Sequence, residues 1–209
     1  MIYDFFKRAI DVLFGILGLI ILLPFILITA IAIVLDSKGP VLADTPERVG
    51  RNGRLFKMYK FRSMVMGAQD LLQKNPELFE EYKKNSYKLK NDPRVTRVGK
   101  LIRRFSIDEF PQLINILRGD MSMVGPRAYY PFELEEQQIK YPKSREFVKI
   151  ILSAKPGATG VWQVSGRSDI NFDKRVEMDA QYVQRRSILY DIYLILKTIP
   201  AVIIGRGAI

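Results

Sequence analysis

The amino-terminal part of the chain is a continuous run of apolar residues. Residues 12–35 hold 24 positions without a charged side chain. At about 1.5 Å per residue, a helix of this length reaches roughly 36 Å, whereas the hydrocarbon core of a bilayer is about 30 Å thick. The run exceeds the apolar segment of a signal peptide and no cleavage pattern follows it, so it predicts a retained membrane anchor.

Pro24 lies near the middle of this run, where a proline removes a backbone donor and bends a helix. Lys7 and Arg8 precede the run, and residues 38–209 hold 31 basic and 19 acidic side chains. Both flanks therefore favour the cytoplasmic side of a membrane. We expect a re-entrant helix broken at Leu23-Pro24, although the residues alone leave an ordinary kinked transmembrane helix open.

The pattern changes after the anchor. Residues 55–61 alternate between apolar and polar side chains, and Gly50 and Gly53 suit a turn just before them, which predicts a β-hairpin. The strongest helical periodicity lies in residues 98–118, where apolar side chains recur every three or four positions. Residues 187–204 are apolar but interrupted by charges and a proline, which predicts a core or interfacial helix.

A segment in the middle of the strongest helical region carries the candidate chemistry. Asp108 and Glu109 are adjacent, with Arg103 about one turn before them. One interpretation is structural, because Ser106 and Glu109 fit a capping box. Pro111 would then lie inside the helix, where proline is unfavourable, so we expect an irregular backbone. Two carboxylates and an arginine at such a turn could equally bring a metal and a phosphate together.

Composition narrows this chemistry. The chain contains no histidine and no cysteine, which excludes Ser-His-Asp triads, thiol chemistry and zinc clusters. Catalysis would have to use carboxylates, Lys, Arg, hydroxyls or an oxygen-liganded cation such as Mg²⁺. The formal charge of +11 favours an anionic partner, which could be nucleic acid, a phosphorylated small molecule or an acidic membrane surface.

A series of motifs runs through nearly the whole chain in a fixed order. They are Lys7-Arg8-x-x-Asp11, then residues 48–53, 59–64, 91–96, 106–113, 119–122 and 124–127, and finally 155–157 through Gly166-Arg167. Together they resemble the monotopic phosphoglycosyl transferases, the bacterial sugar transferases that prime surface-glycan assembly.

The resemblance implies transfer of a hexose 1-phosphate from a UDP-sugar to undecaprenyl phosphate, a polyprenyl phosphate, with release of UMP. Asp108 would be the nucleophile of a covalent aspartyl-phosphosugar intermediate, and Glu109 would help to hold the Mg²⁺ cofactor. The segment 91–96 favours galactose or glucose. The expected substrate-binding residues are Lys60, Arg62, Arg103, Arg127 and Arg167.

The fold implied by the resemblance is an α/β, mostly helical monotopic membrane protein. Residues 1–37 would form the re-entrant membrane helix, and residues 38–209 a catalytic domain with a small β-hairpin and amphipathic interfacial helices. The domain would lie on the cytoplasmic face of a bacterial inner membrane, against anionic inner-leaflet lipids. A homodimer is left open.

Three rival interpretations are weighed against this one. Aromatic residues interleaved with bases in residues 59–62 suit a membrane-tethered nucleic-acid-binding protein, but we expect no nucleic-acid partner. A non-catalytic scaffold would not need the intact Asp108-Glu109 pair. A third alternative keeps the substrates but lets the lipid phosphate attack directly, with Asp108 only organising the metal.

Overall fold

The computed structural model describes residues 2–84, 89, 91–166 and 170–204, and this part of the chain is mostly helical. The helices are α1 (Ile2–Asp36), α2 (Ala68–Gln73), α3 (Pro76–Lys84), α4 (Arg97–Arg104), α5 (Gln112–Arg118), α6 (Pro131–Lys140), α7 (Ser144–Ile151), α8 (Val161–Ser165), α9 (Phe172–Arg185) and α10 (Ile188–Ile204). The strands are β1 (Arg48–Val49), β2 (Leu55–Phe56), β3 (Ser122–Val124) and β4 (Gly157–Thr159). The expectation of a mostly helical protein with a small sheet element is confirmed.

The apolar amino-terminal run forms α1, which continues through Pro24. Within the described ranges, it is the helix that is long and apolar enough to cross a membrane. Only 11% of its most apolar stretch is buried inside the protein. The remaining apolar surface is too exposed for the core helix of a water-soluble fold and suits contact with lipid.

One face of α1 nevertheless packs along the rest of the protein. Gly15 and Gly18 let the helix approach α5, because a Cβ on Gly15 would lie 2.8 Å from a methyl carbon of Leu117. Further along, Ile33 is 2% exposed and packs with Phe61 and Ile102. Between these two ends, the same face of α1 contacts the core through four partly buried residues: Leu19, Leu22, Ile26 and Ala30.

Hydrogen bonds fix the amino-terminal part of α1. Asp11 is buried, and its carboxylate accepts from the Ser122 hydroxyl at 3.0 Å and the Met123 backbone nitrogen at 2.9 Å. Arg8 donates to two backbone oxygens near the carboxyl end of α5, at 2.6 and 2.7 Å, where a cation is favoured by the helix dipole. The Lys7-Arg8-x-x-Asp11 motif thus connects the membrane helix to the domain.

The carboxyl end of α1 is fixed just as firmly. The Asp36 carboxylate accepts from the backbone nitrogen of Val98 at 3.1 Å. Arg62, which is 5% exposed, donates to Ser37 Oγ at 2.6 Å, to the Ser37 backbone oxygen at 2.8 Å and to the Pro40 backbone oxygen at 2.6 Å. Both ends of α1 are therefore bound to the same domain.

The predicted hairpin is confirmed, although it is short. β1 and β2 pair antiparallel, with Arg48 opposite Phe56. Asn52 and Gly53 have φ values of 58° and 77°, a left-handed backbone that suits these two residue types in a turn.

The second sheet was not expected, because its residues look like turns in the sequence. β3 and β4 pair in parallel, with Ser122 opposite Gly157 and Val124 opposite Thr159. The two backbones approach so closely that a Cβ on Gly157 would overlap the backbone nitrogen of Gly125. The glycines that suggested loops are therefore needed for strand contact.

The carboxyl-terminal helices cover this sheet. α7 and α9 pack together around Val148 and Val176, and α10 places Leu194, 1% exposed, against the same region as Val124. Leu189 of α10 is 80% exposed, so one face of this helix lies in the core and another is available for an interface. This confirms the prediction of a helix there that is not wholly buried.

Candidate active site

The Asp108-Glu109 pair lies in an irregular turn between α4 and α5. Ser106 has a φ of 55°, which is uncommon for a residue other than glycine, and its side chain makes no capping hydrogen bond. Residues Ile107–Glu109 form a single 3-10 turn, and α5 begins only after Pro111. The capping box is therefore wrong, and the irregular backbone expected from Pro111 is confirmed.

An extended segment after β2 holds this turn in place. The backbone nitrogen of Phe61 donates to the Asp108 backbone oxygen at 2.9 Å. The Lys60 ammonium lies 2.7 Å from Glu109 Oε1 and 3.8 Å from Asp108 Oδ2. Successive side chains of an extended chain point to opposite sides, so Phe61 enters the core while Lys60 reaches the carboxylates.

The two acids have different electrostatic environments. Burial raises the pKa of Asp108 above its usual range and Glu109 adds to the rise, while Lys60 and Arg103 oppose it. Burial also acts to raise the pKa of Glu109, but Lys60, through its charge and its hydrogen bond, lowers that pKa below its usual value. Asp108 is therefore the more basic carboxylate of the pair, a division of roles that is common in catalytic sites.

Arg103 extends from the last turn of α4 towards the same site. Its Nε donates to the hydroxyl of Ser63 at 2.9 Å, and its charge lowers the pKa of Asp108. Within the described residues, its two terminal nitrogens have no hydrogen-bond acceptor. These donors are available for an anion.

Arg127 follows β3 and acts on Glu109 from another direction. Its backbone nitrogen donates to Asp179 Oδ2 at 2.9 Å, and its guanidinium lies 5.1 Å from the centre of the Trp162 ring. Its charge lowers the pKa of Glu109. Sequence reasoning selected Arg127, and the structure places it beside the carboxylate pair electrostatically.

Two further arginines belong to this group, and sequence reasoning gave them no role. Arg48, 6% exposed, lies 3.2 Å above the Tyr130 ring and also lowers the pKa of Glu109. Arg175 lies 5.0 Å from the centre of the Trp162 ring. Arg48 belongs to the motif at residues 48–53, but its burial depends on tertiary packing and leaves no signal in the sequence.

The polar atoms of this group are incompletely paired. In the described part of the chain, seven buried side-chain polar atoms lack a hydrogen-bond partner, and all belong to residues in or beside this cluster. They are Arg48 Nε, Arg127 Nε, Arg175 Nε, Tyr129 OH, Trp162 Nε1, Gln163 Oε1 and Asp179 Oδ1. Five of the seven can donate a hydrogen bond, and buried donors without acceptors are costly. Their concentration here is typical of a site that takes an anionic ligand.

The remaining predicted site residues lie elsewhere. The guanidinium of Arg62 is directed at the loop after α1, so this geometry gives it a role in the fold and no support as a substrate contact. Arg167 lies outside the described residues. Pro24 is in α1, and the break predicted there stays a prediction.

The carboxylate pair fits a magnesium ion that is shared with a substrate. The described residues contain no cluster of three or more His, Cys, Asp or Glu that could enclose a metal. Mg²⁺ is usually held by one or two carboxylates together with substrate phosphates and water. The Glu109 side chain is 41% exposed and that of Asp108 12% exposed, so both can meet an arriving metal–phosphate complex.

Comparison with known proteins identifies the family of the chain. The family model described as "Bacterial sugar transferase" matches residues 2–205. The chain belongs to this family, which confirms the resemblance seen in its motifs and makes the protein a transferase.

Individual relatives are similar over almost the whole chain. The exopolysaccharide production protein ExoY of Sinorhizobium fredii is 44% identical over 97% of this chain and 87% of its own length. The undecaprenyl-phosphate galactose phosphotransferase of Salmonella typhimurium is 44% identical over 98% of this chain. The undecaprenyl-phosphate glucose phosphotransferase of Komagataeibacter xylinus is 41% identical over 97% of it. The chain spans only 42% and 36% of those two phosphotransferases.

Proposed function

We propose that the protein transfers a hexose 1-phosphate from a UDP-sugar to undecaprenyl phosphate and releases UMP, at the start of exopolysaccharide or other surface-glycan synthesis. The observation that carries the proposal is the Asp108-Glu109 pair, which lies in an irregular turn among cations, with Asp108 buried and Glu109 partly exposed. Relatives named for galactose and glucose phosphotransfer support a hexose.

The chemistry proceeds by two displacements at phosphorus. The ionised Asp108 carboxylate attacks the phosphorus that bears the sugar, forming an acyl phosphate as the bond to the UMP oxygen breaks. An oxygen of the lipid phosphate then attacks the same phosphorus, and the Asp108 carboxylate leaves. The product is a lipid diphosphate sugar, and no external acid or base is required.

Cations of this chain oppose the negative charge of both substrates. Lys60 keeps Glu109 ionised and lies within 4 Å of Asp108. The free terminal nitrogens of Arg103 and the buried guanidinium of Arg127 are the donors for phosphate oxygens, since planar guanidinium groups can contact two oxygens at once. Mg²⁺, held by Glu109 with Asp108, would neutralise the diphosphate and assist departure of UMP.

The packing of α1 supports a proposal for the membrane arrangement. The same domain contacts this helix near Asp11 and again near Asp36, which is difficult to combine with a helix that crosses to the opposite face. We infer a monotopic protein in which residues 1–37 enter one leaflet and residues 38–209 stay on the cytoplasmic face. Exposed apolar side chains of α1 and α10 would contact lipid, and the basic domain would approach anionic headgroups.

The proposal is tested with the full chain in detergent or membranes, Mg²⁺, undecaprenyl phosphate and a panel of UDP-sugars. We expect UMP release with UDP-galactose or UDP-glucose and, without the lipid, a hexose phosphate adduct on Asp108 detected by mass spectrometry. Asp108→Asn should lower the transfer rate at least about a thousandfold. Asp44→Asn, which removes an exposed carboxylate, serves as the matched control and should retain the rate.

Isotope exchange separates the covalent route from direct attack by the lipid. If Asp108 carries the sugar phosphate, labelled UMP will exchange into the UDP-sugar when no lipid is present. Transfer without this exchange would support direct attack, with Asp108 acting only on the metal. An adduct on another residue, or full turnover in Asp108→Asn, would overturn the assignment.

A further inference from the structure

A basic cleft lies beside the first turns of α1 and shares no lining residue with the carboxylate site. It is open to solvent. Five cationic side chains line it, against the carboxylates of two aspartates. The cations are Lys7, Arg8, Arg51, Lys155 and Arg186.

Protein groups balance some of these charges. Lys7 is paired with Asp11 at 3.0 Å and with Asp191 at 3.4 Å. Arg8 donates to the carboxyl end of α5, and Arg186 lies 3.7 Å from an oxygen of Asp4.

Two of the cations remain unbalanced. In the described part of the chain, the side chains of Arg51 and Lys155 have no hydrogen-bond acceptor or ion-pair partner. The cleft therefore has an excess of positive charge.

The position of Lys155 shows that this excess is concentrated. A Cβ added to Gly119 would lie 3.4 Å from Lys155 Nζ and 3.7 Å from the Arg8 guanidinium, so both cations meet at this glycine. Burial lowers the pKa of Lys155, and the charges of Arg8 and Arg51 lower it further, while Asp11 and Asp120 oppose the change without reversing it. Cations gathered in this way are stabilised by an anion between them.

The surroundings of the cleft indicate where the anion comes from. Ile2, Phe5 and Phe6, on the first turns of α1, are 77%, 72% and 53% exposed. The residues of α1 that line the cleft, from Tyr3 to Asp11, immediately precede the apolar stretch of the helix. A membrane that contacts this stretch would therefore have its headgroups near the level of the cleft.

We propose that the cleft between Arg51 and Lys155 binds the phosphate of an anionic membrane lipid, at a site separate from the carboxylate pair. The proposal rests on the membrane association proposed above. Lipid bound there would fix the amino-terminal end of α1 at the membrane surface.

The test uses the full chain in non-ionic detergent and native mass spectrometry, with phosphatidylglycerol, phosphatidylcholine and inorganic phosphate as probes. Because the assay contains no bilayer, insertion of α1 does not contribute, and failure of this site is distinguished from failure of membrane association or of transfer activity. We expect one retained phosphatidylglycerol, held on the order of tenfold more tightly than phosphatidylcholine. Arg51→Ala with Lys155→Ala should abolish this preference.

Three variants give the necessary controls. Lys143→Ala with Lys149→Ala removes the same charge from exposed positions and should keep the preference, as should Asp108→Asn. Arg51→Lys with Lys155→Arg keeps the charge and should also keep it, which separates charge loss from misfolding.

Several results would overturn the proposal. They are equal retention of the two lipids, unchanged binding in the double alanine variant, equal loss in the Lys143/Lys149 control, or loss in the charge-retaining variant. Binding of inorganic phosphate that phosphatidylglycerol does not displace would assign the cleft to a soluble anion.

Discussion

Two groups of buried acids in this protein differ in how completely they are paired. Asp191 is fully buried and accepts from the Tyr182 hydroxyl at 2.6 Å and the Tyr3 hydroxyl at 3.0 Å, with Lys7 at 3.4 Å. Asp108 is almost as buried, but its nearest ion-pair partner, Lys60, is 3.8 Å away.

The difference separates acids that hold the fold from acids that are available for chemistry. A carboxylate that accepts several hydrogen bonds in the protein has little remaining capacity for a substrate. Asp108 is desolvated without being fully neutralised, and its raised pKa records that cost. Incomplete pairing is the expected condition of a group that must react.

The strongest way to break the fully paired group is Asp191→Asn. This change removes the charge that accepts from two tyrosine hydroxyls, while Lys7 keeps its pair with Asp11 at 3.0 Å. Removing one partner from a buried charged group costs about 3 to 5 kcal/mol. We expect a large loss in the free energy of unfolding, measured by denaturant titration in detergent, and a transfer rate per folded molecule close to that of the wild type. The control Asp44→Asn should leave stability unchanged. A stable but inactive Asp191→Asn protein would contradict the distinction between acids that stabilise the fold and acids that are available for chemistry.

The corresponding change at the incompletely paired group is Lys60→Met. It removes the cation that lies between Glu109 and Asp108, so we expect the transfer rate to fall by on the order of 100- to 1000-fold. Steady-state rates measure the effect, and Lys57→Met, at an exposed lysine paired with Asp44, is the control. Equal losses at Lys57 and Lys60 would show that general charge, and not this contact, matters.

Arg62→Met tests a residue that the sequence placed with the substrate and the structure places with the fold. Losing charged hydrogen bonds to Ser37 and Pro40 should destabilise the protein by about 2 to 3 kcal/mol. We expect the KM for the UDP-sugar to stay unchanged in the folded fraction. A raised KM with unchanged stability would restore the substrate contact.

Asp179 is paired less completely than Asp191, because only one of its two carboxylate oxygens has a hydrogen-bond partner. Asp179→Asn tests this intermediate case. Burial raises the pKa of Asp179 to about 7, so the folded state keeps a proton that the unfolded state releases near its ordinary pKa of 3.8. Its contribution to stability therefore decreases as pH rises from about 4 to 7.

The variant lacks this titration, so its stability relative to the wild type should increase by about 2 to 3 kcal/mol between pH 5 and 8. Thermal unfolding at several pH values measures the difference. A difference that stays constant over this range would show that Asp179 has an ordinary pKa.

Sequence reasoning located the elements with strong local signals. The apolar run became α1, and the proline after Glu109 correctly indicated an irregular turn. It missed the parallel pairing of β3 and β4, because pairing between distant segments depends on close backbone approach at Gly125 and Gly157, and each segment alone resembles a turn.

The same limit applies to the candidate site. Local motifs, ordered along the chain, were sufficient to predict four candidate site residues: Asp108, Glu109, Lys60 and Arg127. Arg48 and Arg175 could not be predicted, since an exposed and a buried arginine look alike in a sequence. Their importance appears only when burial leaves the Nε atom of each without an acceptor.

Family membership, the candidate carboxylate pair and the apolar amino-terminal helix could be predicted from the sequence, because they depend on residue types, short spacings and the length of an apolar run. The partner of each charged side chain could not be predicted in this way. Whether an arginine supports a loop, as Arg62 does, or adjoins the carboxylate pair, as Arg103 does, depends on which distant backbone reaches it. Desolvation and pairing are properties of three-dimensional packing, and they separate the acids that stabilise this protein from those that we propose react.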